Sequence, residues 1–195
     1  MLFENCFSRD LADLIRTKAL KTGSVFRLAS GATSTYYLDC KNVTLDGAGC
    51  KLVGELFCDL IRFRIPAGVQ PVAIGGLSIG ADPIIASTLV AFQRYGLNLA
   101  GCMIRKDEKD HGMKGRVVGP VKPGMKVLVV EDVCTTGKSS LSAVQALRDF
   151  GCTVDIVACI IDREEGGHDT LTGAGLRLMS LFTIRDFGIQ PPVRQ

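Results

Sequence analysis

The 195-residue chain has no tryptophan and only two histidines, His111 and His168. Its eight cysteines include no C-x-x-C pair, so a zinc site has little support. Several cysteines lie within apolar runs, as Cys159 does in VACII, which is typical of buried thiols in a reducing compartment. The shortage of metal ligands and of cysteine pairs therefore predicts a cytoplasmic protein with buried thiols.

A strong charge imbalance and a long apolar run are also missing. The formal net charge of +3 is too small to indicate a nucleic-acid partner, and the basic residues are scattered except between positions 105 and 116. No window reaches the roughly 18 uncharged apolar residues that a membrane-spanning helix needs. The opening MLFENCFSRD carries acids and has no long apolar core, unlike a secretory signal. We therefore expect neither a nucleic-acid nor a membrane partner.

The chain does have enough apolar residues, 47% of the total, to bury the core of a single domain over positions 1–195. Strand and helix patterns alternate along it. The predicted helices cover 8–20, 48–61, the part of 78–95 that begins near Asp82, and 139–150, and the predicted strands cover 25–28, 36–39, 71–74, 100–104, 127–133 and 154–161. This order implies parallel β-α-β units in an open sheet covered on both faces.

Ligands of such sheets bind at the carboxyl ends of the strands. Three segments with functional side chains or glycines follow predicted strands: Gly75-Gly76, the acids Glu131 and Asp132, and DREEGG at 162–167, after what we take to be the last strand. A random surface would not usually place all three there. The sequence therefore predicts a binding site at this edge of the sheet.

The segment 127–139, VLVVEDVCTTGKS, joins a buried strand to an acidic pair and a small polar run. The polar run lies where a strand meets the amino end of a helix, and free N–H groups there favour a phosphate. Glu131 and Asp132 can accept hydrogen bonds from sugar hydroxyls. Gly137-Lys138-Ser139 matches the end of a nucleotide-triphosphate loop, but Asp132 stands where that pattern requires glycine. The segment predicts a phosphorylated-sugar site; the alternative is an ordinary polar strand end.

The segment 105–116 is rich in charge and contains almost no apolar residue, so it has little with which to pack. We predict a mobile loop. It leaves the same sheet edge as the acidic pair, and Arg105, Lys106, Lys109 and His111 can close over a polyanion and stabilise a negatively charged leaving group. The alternative is a solvated surface turn.

Together these segments resemble the type I phosphoribosyltransferases and, within them, the orotate enzymes. VLVVEDVCTTGKS is similar to the superfamily's phosphoribosyl-pyrophosphate motif, and RKDEKDHGMKG is similar to the orotate branch's catalytic loop. FRLASGATSTYYLD resembles the hood that contacts orotate, and IIDREEGG resembles the last active-site strand. The resemblance implies an α/β fold with an open, mainly parallel sheet flanked by helices. It places a small hood mainly in 1–45 plus the C-terminal segment, and a core in about 46–170.

The resemblance also implies the reaction. Phosphoribose would pass from 5-phospho-α-D-ribose 1-diphosphate (phosphoribosyl pyrophosphate) to orotate, giving orotidine 5′-monophosphate and pyrophosphate in pyrimidine biosynthesis. Mg²⁺ would be the cofactor, held chiefly by pyrophosphate and ribose oxygens and not by protein ligands. The resemblance further implies a homodimer in which the catalytic loop serves the neighbouring subunit's site.

The implied site residues fall into three groups. Catalysis is expected of Lys109, His111 and Asp132. Orotate is expected to contact Thr135, Arg163, Tyr36 and Tyr37, with Arg163 on the carboxylate. Phosphoribosyl pyrophosphate is expected to contact Arg105, Lys106, Lys109, His111, Glu131, Asp132, Val133, Cys134, Thr135, Thr136, Gly137, Lys138 and Ser139.

Two positions depart from the family pattern. Many orotate enzymes have lysine where this chain has Ala29, and some have lysine in the turn after the second sheet strand, aligned here with Gly80. Lys41 and Lys51 are candidate substitutes.

Two rival functions stay open at this point. A phosphoribosyltransferase for another base would keep the acidic pair but need a different hood. A regulatory protein that kept the fold and lost catalysis is disfavoured by retention of Lys109 and His111.

Overall fold

The apolar segments of the chain form a six-stranded sheet in the computed structural model, which describes residues 6–27, 33–107 and 115–192. The strand order is β5-β4-β3-β6-β7-β8, and every neighbouring pair is parallel except β4 with β5. The strands are β3 (Ala73–Leu77), β4 (Ala100–Ile104), β5 (Val117–Val118), β6 (Val127–Cys134), β7 (Ile156–Asp162) and β8 (Arg177–Thr183). The predicted open, mainly parallel sheet is confirmed.

Helices cover both faces of this sheet. They are α1 (Cys6–Leu14), α2 (Lys41–Thr44), α3 (Gly47–Asp59), α4 (Asp82–Gln93), α5 (Lys138–Asp149) and α6 (Gly167–Gly173), with wider π turns at Ile15–Ala19 and Leu60–Arg64 and 3₁₀ turns at Ala67–Val69 and Ile184–Phe187. Asp46 caps α3 by accepting hydrogen bonds from the N–H groups of Ala48 and Gly49. Within the described ranges, no helix combines the length and the apolar character needed to cross a membrane.

A separate antiparallel pair of strands lies within residues 1–45, the region predicted to form the hood, and is called the hood below. It consists of β1 (Leu20–Arg27) and β2 (Thr33–Leu38), and Leu20 pairs with Leu38 where the hood meets the core. The sequence also indicates a turn at Ser30-Gly31 between these strands, and this turn lies outside the described residues.

Alternating side chains of the sheet pack into two cores, as the period of a strand requires. Leu128 and Val130 of β6 face a cluster built with α1, α3 and α4. Val127 and Val129 face the opposite cluster, built with α5 and α6. Both faces of β6 are therefore apolar because each packs against a core. Only at the carboxyl end of the strand can polar side chains reach solvent.

Most predicted elements are confirmed, but several bounds were wrong. The first helical segment ends at Ala19 and the following strand begins at Leu20, whereas the sequence predicted a helix through position 20 and a strand only from position 25. Gly75-Gly76 lies inside β3 and not after it. The strand β7 is not the last strand, because α6 and β8 follow it and were not predicted. Six cysteines are buried as expected, whereas Cys6 is exposed and Cys50 is only partly buried.

Candidate active site

The site is built where β6 and β7 end side by side. Because these parallel strands are neighbours, with Cys134 opposite Asp162, the segments that follow them emerge at one edge of the sheet. Main-chain hydrogen bonds join the two segments: the Arg163 N–H donates to the Cys134 carbonyl, and the Gly167 N–H donates to the Thr135 carbonyl, each at 2.9 Å. The predicted sugar and base segments are therefore adjacent.

Glu131 lies partly buried at the end of β6, where its carboxylate accepts a short hydrogen bond from the Ser140 hydroxyl. Burial raises the pKa of Glu131 from its ordinary 4.5 to about 7, the Ser140 hydrogen bond opposes that rise, and the charge of Asp132 adds to it. Ser140 lies in the first turn of α5 and is buried. Glu131 is thus an acid that changes charge near neutral pH.

Asp132 faces the hood side of the site. Its Oδ2 lies 3.6 Å from the Lys41 ammonium, which also pairs with Asp39 at 2.8 Å. A Cβ at Gly80 would come within 2.6 Å of the Asp132 Oδ1, so any side chain at Gly80 would displace this carboxylate. A lysine at this position, as in some family members, would therefore require the Asp132 carboxylate to shift, and in this chain Lys41 brings an ammonium to the acid.

The predicted phosphate loop follows directly. Gly137 adopts a left-handed conformation with φ of +78°, which favours glycine, and α5 begins at the next residue, Lys138. Thr136, Lys138 and Ser139 are exposed, whereas Cys134 is buried beneath the loop. The strand-to-helix junction lies where the sequence predicted it, and the loop exposes the amino end of a 12-residue helix, an arrangement that favours an anion.

The base side of the site joins the hood to the segment after β7. The Arg163 Nε donates to the Tyr36 hydroxyl at 2.7 Å, and its Nη2 lies 2.8 Å from Glu165 Oε1. The Tyr36 hydroxyl donates to the same Glu165 oxygen at 3.0 Å. Tyr37 lies on the other face of β2, where it is 41% exposed and packs near Phe26. The two predicted tyrosine side chains thus diverge, and only Tyr36 reaches Arg163.

The ends of the predicted catalytic loop form a stem at the edge of the sheet. The Arg105 N–H donates to the Arg116 carbonyl, and the Arg116 side chain donates to the Arg105 carbonyl and to the Ser142 hydroxyl of α5, all at 2.9 Å. Arg105 is partly buried and Lys106 is exposed. Lys109 and His111 lie outside the described residues. The strand β3 separates β4, which leads into the stem, from β6 and its acids.

Three residues of this site were not given their place in it from the sequence. Ser140 follows the recognised motif directly and was not assigned. Glu165 was noted only as part of DREEGG. Lys41 was named as a candidate substitute for the family lysines, but the sequence did not indicate that it lies beside Asp132. A signal exists for Ser140 alone, because a small polar residue in the first turn of α5 can reach back to the preceding strand.

Two acidic side chains end a buried strand, and the amino end of a helix follows them. On an open, mainly parallel sheet with an antiparallel hood, this arrangement is that of a type I phosphoribosyltransferase. Residues 67–174 match the family model of the phosphoribosyl transferase domain. Over 188 residues the chain is 48% identical to the orotate phosphoribosyltransferase of Rhodopirellula baltica, covering 94% of this chain and 97% of the relative. The chain belongs to the orotate phosphoribosyltransferase family.

Solved structures agree with this placement. The chain is similar to Mycobacterium tuberculosis orotate phosphoribosyltransferase in complex with Fe(III) dicitrate, with a TM-score of 0.81, 34% identity and coverage of 94% of this chain and 99% of that one. It is also similar to the same enzyme in complex with 5-phospho-α-D-ribosyl 1-diphosphate, with a TM-score of 0.77, 32% identity and the same coverage. The predicted family and fold class are confirmed.

Proposed function

We propose that this protein transfers phosphoribose from phosphoribosyl pyrophosphate to orotate, releasing pyrophosphate and orotidine 5′-monophosphate. The observation that carries the proposal is the hydrogen-bonded adjacency of two segments. One segment bears the acidic pair proposed to bind the sugar, Glu131 and Asp132, and the phosphate loop. The other bears Arg163, a cation suited to the carboxylate that distinguishes orotate from uracil.

The residues divide the chemistry between them. Glu131 and Asp132 accept hydrogen bonds from the ribose hydroxyls, and their charge favours the cation-like carbon that forms as pyrophosphate leaves. The backbone from Thr135 to Ser139 binds the 5′-phosphate at the amino end of α5. Arg105, Lys106, Lys109 and His111 neutralise the departing pyrophosphate.

Mg²⁺ is part of this proposal. Within the described ranges no group of three or more His, Cys, Asp or Glu side chains is placed to hold a metal, and Lys41 occupies the space between the carboxylates of Asp39 and Asp132. The donors nearest the sugar are carboxylate oxygens, which suit Mg²⁺ only in company with substrate oxygens. When bound, the ion would help to neutralise pyrophosphate.

We also propose a homodimer whose catalytic loops act across the subunit interface. The proposal rests on the resemblance of the segment at 105–116 to the family's loop and on the stem, which holds both ends of that segment at the sheet edge. The cytoplasmic location predicted from the sequence stays a prediction.

Turnover with different bases tests the proposed function. With Mg²⁺ and phosphoribosyl pyrophosphate, orotate is expected to support pyrophosphate release at least ~100-fold faster than hypoxanthine, adenine or uracil, because only orotate carries the carboxylate for Arg163. Preference for one of the other bases would sink the orotate assignment. Tight binding of both substrates without pyrophosphate release would favour a regulatory protein. Chelation of Mg²⁺ is expected to stop the reaction.

The pH dependence of activity should report Glu131. Only the ionised carboxylate accepts hydrogen bonds at both oxygens and stabilises a cation-like ribose, so kcat/KM for phosphoribosyl pyrophosphate is expected to fall as pH drops below the raised pKa of about 7. Ser140→Ala removes a hydrogen bond that lowers the pKa of Glu131, so the acid limb should move to higher pH. Because the substrate's own phosphates titrate alike with both enzymes, the difference between the two profiles isolates Glu131. Superimposable profiles would remove this role.

A further inference from the structure

The cluster formed by Tyr36, Arg163 and Glu165 is a closed triangle of two hydrogen bonds and one ion pair. Tyr36 is only 4% exposed, and the side chains of Arg163 and Glu165 are 12% and 19% exposed. The Tyr36 hydroxyl accepts from Arg163 and donates to Glu165, and the Glu165 carboxylate forms an ion pair with Arg163. The Arg163 guanidinium carbon lies 4.7 Å from the centre of the Tyr36 ring. Each of the three side chains is thus held by the other two.

Tyr36 and Glu165 contact one edge of the Arg163 guanidinium group and leave another edge uncontacted. Tyr36 and Glu165 occupy Nε and Nη2, which form one fork of the planar group. No residue in the described part of the chain accepts a hydrogen bond from Nη1. A ligand carboxylate therefore meets an arginine whose side-on fork is already filled and whose Nη1 end is available.

A bend in the backbone at Glu164 allows Glu165 to contact Arg163. Glu164 adopts a left-handed conformation with φ of +56°, which is uncommon for a residue with a side chain. The Glu164 N–H donates to Asp162 Oδ1 at 2.8 Å, and the Glu164 side chain points to Arg185, 2.9 Å from its Nε. The bend sends Glu164 away from Arg163 while Glu165 returns to it.

We propose that Glu165 and Tyr36 are positioning residues that fix Arg163 for the carboxylate of the base, and so help to set selectivity for orotate. The inference rests on the proposed function. Fixing a long arginine side chain in advance removes an ordering cost from binding, which corresponds to about tenfold in affinity for one such side chain. The uncharged hydroxyl and the single carboxylate hold the group without filling its Nη1 end.

Steady-state kinetics of Glu165 variants test the proposal. Glu165→Ala is expected to raise KM for orotate about tenfold while KM for phosphoribosyl pyrophosphate stays within about twofold. Glu165→Gln keeps an acceptor oxygen for the Tyr36 hydroxyl and loses only the charge of the ion pair with Arg163, so KM for orotate should remain within about threefold of the wild type. Tyr36→Phe, which removes the acceptor for Nε, should raise KM for orotate in the same direction. Glu164→Gln removes a neighbouring charge that faces Arg185 and serves as the control, with both KM values unchanged.

A second comparison separates positioning from general support of the hood. In an Arg163→Ala background, adding Glu165→Ala should cause no further loss of orotate affinity in calorimetry, because both changes act through one side chain. Fully additive losses would overturn the proposal, as would an unchanged KM for orotate in Glu165→Ala or an equal rise in both KM values. Failure of the proposed function is distinguishable, because the wild-type protein would then turn over no orotate at all.

Discussion

Replacing Asp132 with asparagine is expected to lower kcat/KM for phosphoribosyl pyrophosphate at least ~100-fold and to leave the fold intact. Asparagine keeps the shape and one acceptor oxygen, but it loses the charge that favours a cation-like ribose and introduces a donor where a sugar hydroxyl must donate. The lost ion pair with Lys41 is a long one, at 3.6 Å to a partly exposed ammonium. Its removal should therefore cost no more than ~1 kcal/mol of stability.

Asp39→Asn provides the matched control for Asp132→Asn. Asp39 pairs with the same ammonium at the shorter distance of 2.8 Å, so its replacement makes the same change in charge beside Lys41. Because Asp39 has no proposed contact with the sugar, we expect its variant to keep kcat/KM within about fivefold. Steady-state rates and thermal unfolding of both variants make the comparison. Equal losses in the two would mean that Asp132 acts through Lys41 and not on ribose.

Lys109→Ala is expected to lower turnover at least ~100-fold, because it removes a cation from the charge that develops on departing pyrophosphate. The prediction comes from the sequence, since Lys109 lies outside the described residues. Lys114→Ala, in the same segment of the sequence, is the matched control and should retain turnover within about fivefold. An unchanged turnover number in Lys109→Ala would show that the loop is not catalytic.

Mixing the two inactive variants tests whether the loop crosses between subunits. After subunit exchange of equal amounts of Lys109→Ala and Asp132→Asn, half of the dimers are hybrids, and each hybrid combines one intact loop with one intact sugar site. If loops act across the interface, activity should return to about a quarter of the wild-type level. If each loop serves its own subunit, every site in the mixture carries a defect and activity stays at the level of the parents.

The central strands were predictable because they are buried on both faces. A run such as VLVV in β6 is continuously apolar, which predicts a buried strand, and the acids that follow it mark where the apolar run ends. The edge strand β8, by contrast, contains Arg177, Ser180 and Thr183 and is buried at only some positions, so no continuous apolar run marks it. The strand β5 has only two residues, which is too short for any periodic pattern.

The site divides in the same way. Residues that act through the local strand-to-helix junction, such as Glu131, Asp132 and Gly137, could be found from their order alone. The roles of Glu165 and Lys41 depend on contacts between segments far apart in the chain, 129 residues for Tyr36 with Glu165. The direction of Glu165 also depends on the left-handed bend at Glu164, which no residue preference announces.

The two main-chain hydrogen bonds between the segments after β6 and β7 carry a consequence for the reaction rate. They bond the Cys134 and Thr135 carbonyls to the N–H groups of Arg163 and Gly167, so side-chain substitution leaves the bonds themselves in place. The spacing between the proposed sugar and base sites is thus part of the folded backbone before either reactant arrives. Holding two reactants at a set spacing raises their effective concentration by many orders of magnitude, up to roughly 10⁵–10⁸ M in well-oriented cases. This spacing does not depend on the side chains that select the base. The same edge of the sheet could therefore position ribose beside the ring nitrogen of another base.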